Sequence, residues 1–194
     1  YKEEQNFKHN VNYRENNFYI GQSLSNVYIR TKFEAEKNIF DSISKGLDAY
    51  ILRVGNLMPR YQDGKFQQNA AENAYLNRLL TFLQIGAIPD TLLDGYLEFT
   101  PIDYTANSII NLISHPSKQN RVFHLFNDNH IKIDEFLHLL KLENYVIDVI
   151  SEESFKNMIK SILDDDSRKH ILNNLINDFD KDLNLSYTTN IILK

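Results

Sequence analysis

The chain has 194 residues, 42% of them hydrophobic, and a formal net charge of -5, which gives enough apolar surface for a packed core in one domain or one and a half. Acidic and basic residues are interspersed without a basic stripe, which argues against nucleic acid or an anionic membrane as a partner. With no cysteine there is neither a disulfide framework nor thiolate chemistry, which fits a reducing compartment such as the cytoplasm, and no apolar run approaches the length of a membrane span.

Residues 1–25 read as polar and irregular, unlike a signal peptide, with a turn at Gly21. The chain begins at Tyr1 without methionine and is expected to be a piece of something longer. In SNVYIRTKFEAEKNIFDSISKG, apolar residues recur at Val27, Phe33, Ile39, Phe40 and Ile43. This spacing predicts a helix over about 26–45, with Ser25 or Asn26 able to cap its start and Gly46 to close its end. DAYILRVGN, residues 48–56, is a nearly continuous apolar run and reads as a strand buried on both faces. Turn signals at Pro59, Asp63 and Gly64 predict a loop over 57–69, followed by a helix over about 70–85 ending near Gly86 and another loop carrying Pro89. GYLEFT is expected as a short strand, Pro101 in the first turn of a helix reaching about Ile113, and RVFHLFN as another buried strand. After Asn127, IKIDEFLHLLKLEN, YVIDVI, EESFKNMIKSIL and a charged, asparagine-rich tail of helices read as a smaller appended domain. Helix alternating with buried strand predicts an α/β chain with a parallel sheet.

Tyr-x-x-x-Lys occurs twice. In YQDGK, Tyr61 to Lys65, the Asp63-Gly64 pair is a turn signal that scatters the two side chains. In YIRTK, Tyr28 and Lys32 share one helix face. Such a pair on an amphipathic helix is ordinarily a half-buried ring beside a solvated amine, and the buried strand that follows is what favours the chemical reading. A free phenol has a pKa near 10, and an ammonium within roughly 4 to 6 Å favours its phenolate. In a carbonyl reduction a hydroxyl placed at the carbonyl oxygen can stabilise the growing charge and then protonate it. The lysine's ammonium donors can also hold the ribose hydroxyls of a nicotinamide cofactor.

The run VYIRTKFEAEKNIF…GLDAYILRVGN resembles the catalytic helix and following strand of extended short-chain dehydrogenase/reductases, and within them the terminal thioester reductase domains of nonribosomal peptide synthetases and the related carboxylic acid reductases. The similarity continues through GAIPD at 86–90 and FTPIDYTANSIINLI at 99–113, and covers most of residues 18–127. VFHLFNDNHIKIDEFLHLLK is similar to the family's entry into its C-terminal substrate domain. The resemblance implies the C-terminal portion of a Rossmann-like doubly wound parallel sheet over 1–127, with 57–100 contributing to the substrate lobe, plus a smaller, mostly helical substrate domain over 128–194. It implies that Tyr28 is the general acid and Lys32 its electrostatic partner and ribose ligand. Gly55, Asn56 and Leu57 are implied on the cofactor side through backbone contacts, with Val54 standing where many relatives carry proline. It further implies NADPH as cofactor, a phosphopantetheinyl thioester on a carrier protein as substrate, upstream synthetase modules as partners, and an aldehyde, or onward an alcohol, as product.

The dinucleotide fingerprint needs closely spaced glycines, whereas the six here lie at 21, 46, 55, 64, 86 and 95. The family's catalytic serine or threonine belongs on a strand upstream of the tyrosine, and Ser23 and Ser25 stand too near Tyr28 to replace it. The chain is therefore expected to lack the cofactor-binding half and, by itself, to be inactive. Two other classes compete with the reductase. A nucleotide-sugar epimerase or dehydratase needs a diphosphate site, for which Arg60, Arg78 and Arg121 are available; a non-catalytic docking module would explain the absent glycine loop. The six histidines show no metal-ligand spacing, and His138 is expected to be an interior residue. DDDSRKH, 164–170, reads as a solvated acidic run capping a helix, and Phe66, Tyr75 and Phe82 as core residues.

Overall fold

The computed structural model describes residues 11–21, 24, 25, 27–117, 119–176, 179, 182, 183, 185 and 191–193. In chain order the elements are β1 (Val11–Tyr13), α1 (Val27–Ser44), β2 (Ile51–Val54), β3 (Leu57–Met58), α2 (Ala74–Ile85), β4 (Ala87–Pro89), β5 (Tyr96–Leu97), β6 (Thr100–Pro101), α3 (Ile102–Ser114), β7 (Val122–Leu125), β8 (Ile131–Lys132), α4 (Ile133–Leu142), β9 (Asp148–Ile150), α5 (Glu152–Leu163) and β10 (Ile191–Leu193). Among the described residues, four of the five strand pairs are parallel and one, β5 with β8, is antiparallel. The fold is mixed α/β. It divides into two units: one takes the chain up to Gly55, Thr105–Phe126 and the C-terminal residues from Thr188, and the other takes Asn56–Tyr104 and Asn127–Tyr187.

In the first unit, β2 lies parallel to β7 from Ile51 opposite Val122 to Val54 opposite Leu125, and the Gly55 N–H extends the ladder to the Leu125 carbonyl at 2.9 Å. The strand expected to be buried on both faces is only half-buried, and Val54 is exposed. The reason is topological: among the described residues β2 has a strand partner on one edge alone. A further departure is β1, which lies in the stretch read as irregular and pairs with β10 at the other end of the sequence. A three-residue strand whose partner is so distant leaves no local pattern. Of the residues read as capping α1, Asn26 lies outside the described ones, as do Ser23, His9 and much of the asparagine-rich tail; the described part of that tail holds a 3-10 helix at Lys169–Asn174.

The second unit holds the core. Phe155, Ile159 and Ile162 recur at helical spacing along one face of α5 and pack with Phe82 and Ile85 of α2, Ala87 and Ile88 of β4, and Leu172 and Leu175. The helix expected from about residue 70 is interrupted. A 3-10 turn at Ala70–Glu72 gives way to Asn73, whose side chain accepts the Leu76 N–H at 2.8 Å and starts α2 afresh. Gly86, at φ 76, closes α2 in the left-handed conformation and its N–H donates to the Phe82 carbonyl. The segment around Pro89, expected as a loop, is the buried strand β4, paired with β9. Burial comes from the packing of α2 and α5, which a turn-residue reading does not see. GYLEFT divides between β5 and β6, which have different partners. His138 is exposed, not interior, because α4 turns Ile133 and Leu137 toward the core instead. Phe82 is buried as expected, whereas Phe66 and Tyr75 are half-buried.

At the start of α3, Asp103 accepts the N–H groups of Tyr61 and Gln62 at 3.1 and 3.3 Å and of Tyr104 at 3.1 Å, tying the loop after β3 to the helix. Desolvation pushes its carboxyl up, but these backbone donors outweigh it and hold the group below the ordinary 3.8. A depressed folded-state value means stability that is present above about pH 4 and is lost as pH falls through the folded value. Asp103→Asn is therefore expected to lower the melting temperature at neutral pH, with the gap to wild type closing as the pH is taken below 4. A gap independent of pH would contradict the ionised cap.

Candidate active site on helix α1 and strand β2

Tyr28 and Lys32 lie one turn apart on α1, and the Lys32 ammonium sits over the Tyr28 ring, 5.5 Å from its centroid, within the range of a cation–π contact. Both residues line a groove of about 560 Å³ together with Ala35, Glu36 and Ile39 of the same helix and residues Tyr50–Val54. The groove runs along β2, and Tyr28 is 69% exposed. α1 is seated on its other side by rings: Phe33 stacks on Phe18 at 4.4 Å, Phe40 meets Phe18 edge-on at 5.3 Å, and Tyr19 meets Phe33 at 5.9 Å.

Gly55 directly follows Val54, the last residue lining the groove. Its N–H is engaged with Leu125, and the N–H of Asn56 donates to the Glu98 carboxylate at 2.6 Å. Leu57 is paired with Thr100 in the β3–β6 ladder. Backbone N–H contacts to a cofactor from Gly55 and Asn56 would therefore have to share donors that are already used; the Asn56 side chain is exposed. Glu98 also accepts from the Thr100 hydroxyl, which in turn accepts the Asn127 N–H at 2.9 Å.

Sequence reasoning did not single out Glu36 and Arg53. The signal was present: Arg53 is the one charge in the apolar run YILRVGN, and a charge half-buried in a strand must find a partner. Glu36, four residues after Lys32, is that partner. Burial pushes the Tyr75 phenol up to about 12. Among the described residues no group of His, Asp and Glu could hold a metal ion, and no helix is long and apolar enough to cross a membrane. Asp165 of the acidic run accepts from the backbone and hydroxyl of Ser167, at 2.9 and 2.6 Å, in a turn after α5.

Parallel strands joined through helices, with a Tyr–Lys helix beside one of them, are the architecture of a Rossmann-like α/β chain. The NAD-binding family described as male sterility protein matches residues 2–109. The chain belongs to this family. Glycine betaine reductase ATRR of Emericella nidulans is 28% identical over 138 residues, covering 68% of this chain and 10% of that protein. Among solved structures, a thiolation-reductase di-domain of an archaeal nonribosomal peptide synthetase superposes with a TM-score of 0.74 at 32% identity over 94% of this chain. The reductase domain of the aureusimine biosynthetic cluster gives 0.67 at 27% over 80%. The terminal R domain of the myxalamid pathway shares the fold, with a TM-score of 0.77 at 21% identity. The chain spans 39% and 41% of the first two solved chains.

The residues that line the groove are chemically compatible with a nicotinamide cofactor. A phenol donor, an ammonium with three donors and a volume within the ordinary range of ligand clefts suit the nicotinamide and its ribose. The glycines of this chain form no pyrophosphate loop.

Proposed function

We propose that this chain forms the Tyr–Lys portion of an NADPH-dependent reductase that releases a carrier-bound acyl or peptidyl thioester as an aldehyde, and that the intact protein supplies the cofactor-binding half. The observation that carries the proposal is the placing of Tyr28 and Lys32 together in the groove beside β2, in a chain 32% identical to a synthetase reductase. Lys32 would hold the ribose hydroxyls, and Gly55, Asn56 and Leu57 are proposed as further cofactor-side residues from the family resemblance alone. When bound, the nicotinamide supplies a hydride. Tyr28 donates to the thioester carbonyl oxygen, stabilises the charge that grows there and protonates it to a hemithioacetal, whose hydroxyl proton is given back as the C–S bond breaks, leaving the aldehyde and the protonated pantetheine thiol. Lys32 steadies that oxygen's field through the phenol. The exposure of Tyr28 requires a cover for the reacting centre, which a cofactor-binding half would provide. The proposed division places residues 1–127 in the reductase sheet, with 57–100 lent to the substrate lobe, and 128–194 in that lobe. The proposed setting is the cytoplasm, with synthetase modules upstream.

The test is NADPH oxidation by the intact protein with a phosphopantetheinyl thioester, with product aldehyde trapped and identified. Thioester-dependent oxidation with one aldehyde formed per NADPH is expected. An intact protein that binds no NADPH would sink the proposal and leave a docking module as the reading.

A further inference from the structure

The helix bearing Tyr28 and Lys32 buries none of its residues fully. Its aromatic seat on Phe18 and Tyr19 is apolar and tolerates small slides and rotations, because dispersion contacts are weakly directional. What is directional is the contact with β2. The Arg53 Nε lies 3.2 Å from both carboxylate oxygens of Glu36, and its Nη2 meets the same carboxylate. The guanidinium is itself held from three sides: Nη2 donates to the Asn17 carbonyl at 2.7 Å, and Nη1 faces the Arg14 carbonyl at 3.4 Å and His124 Nε2 on β7 at 3.1 Å. Since the guanidinium can only donate, His124 Nε2 is the acceptor in that contact. The neighbouring strand is tied in again where the His124 N–H donates to Glu15 at 3.0 Å. The Arg53 and Glu36 side chains are 12% and 18% exposed, so the pair is shielded from solvent and its geometry, rather than its charge alone, decides what it contributes.

Glu36 stands one turn beyond Lys32 and two beyond Tyr28 on the same face, about 12 Å along the axis from Tyr28, and all four residues line one groove. We propose that Glu36 and Arg53 are positioning residues, a fork on the strand that fixes the rotation and axial setting of α1 and thereby the place of Tyr28 and Lys32. The role in turnover rests on the reductase reading above; the setting of the helix does not. A shift of an ångström at a proton donor can cost on the order of 100-fold in rate.

The experiment places fluorotyrosine at position 28 of the intact protein and follows its fluorine resonance and its turnover in Glu36→Gln, Arg53→Lys and the control Asp48→Asn. Glu36→Gln keeps length and loses charge, Arg53→Lys keeps charge and loses the fork, and Asp48→Asn removes the ion pair with Arg121 elsewhere in the same unit. The resonance is expected to shift or broaden in the first two and stay in the control, with kcat of the folded protein falling roughly 10- to 100-fold in the same two. Should Arg53→Lys fail to fold, Glu36→Gln decides alone. A resonance unmoved in Glu36→Gln overturns the positioning role whatever the turnover. A moved resonance in a protein whose wild type reduces no thioester supports the positioning role and removes the reductase reading.

Discussion

Tyr28→Phe is expected to lower thioester-dependent NADPH oxidation by the intact protein about 100- to 10,000-fold, the range for loss of a positioned general acid, while leaving cofactor binding in place. The change removes one oxygen. The ring remains to receive the Lys32 ammonium over its face, and since Tyr28 is an exposed residue of α1, no cavity is created in a core. Cofactor affinity, read by fluorescence titration, and melting temperature should both stay close to wild type. The separation of these readouts is what makes the result decisive. A variant that turns over like wild type removes Tyr28 from the chemistry. Loss of turnover together with loss of NADPH binding would instead assign Tyr28 to the cofactor site.

Phe155→Ala is expected to destabilise the second unit by about 3 to 5 kcal/mol, the usual cost of deleting a fully buried ring. Phe155 is 1% exposed and lies at the N-terminal end of the apolar face of α5, 6.3 Å from the ring of Phe82. It packs in one cluster with Ile159 and Ile162, both fully buried. Against a typical total of 5 to 15 kcal/mol, this one substitution should move the denaturant midpoint well below that of wild type. Leu139→Ala, at a position 46% exposed on α4, provides the contrast and should cost less than about 1 kcal/mol. Equal effects from the two would mean that the core is not where the burial of α5 puts it.

The elements that could be read from the sequence are those whose cause is local. Val27, Phe33, Phe40 and Ile43 give α1 its period, and Gly86 supplies the left-handed residue that ends α2. The same periodicity puts Tyr28 and Lys32 on one helix face. Misreadings fell where distant chain decides. Pro89 carries a turn signal, yet it ends a buried strand because β9 lies alongside. His138 sits in an apolar run, yet it faces outward because Ile133 and Leu137 take the core side.

The sequence by itself determined the α/β alternation, the helix that carries Tyr28 and Lys32, and the resemblance that led to a reductase family, because helical period, turn residues and motif spacing are properties of neighbouring residues. Only the tertiary structure decided that β2 takes β7 as its parallel neighbour and shares a groove with α1, and that Arg53 reaches Glu36, Asn17 and His124 at once. Strand pairing and charge pairing across long stretches of chain depend on how the whole chain closes upon itself, and no short window of sequence contains that information.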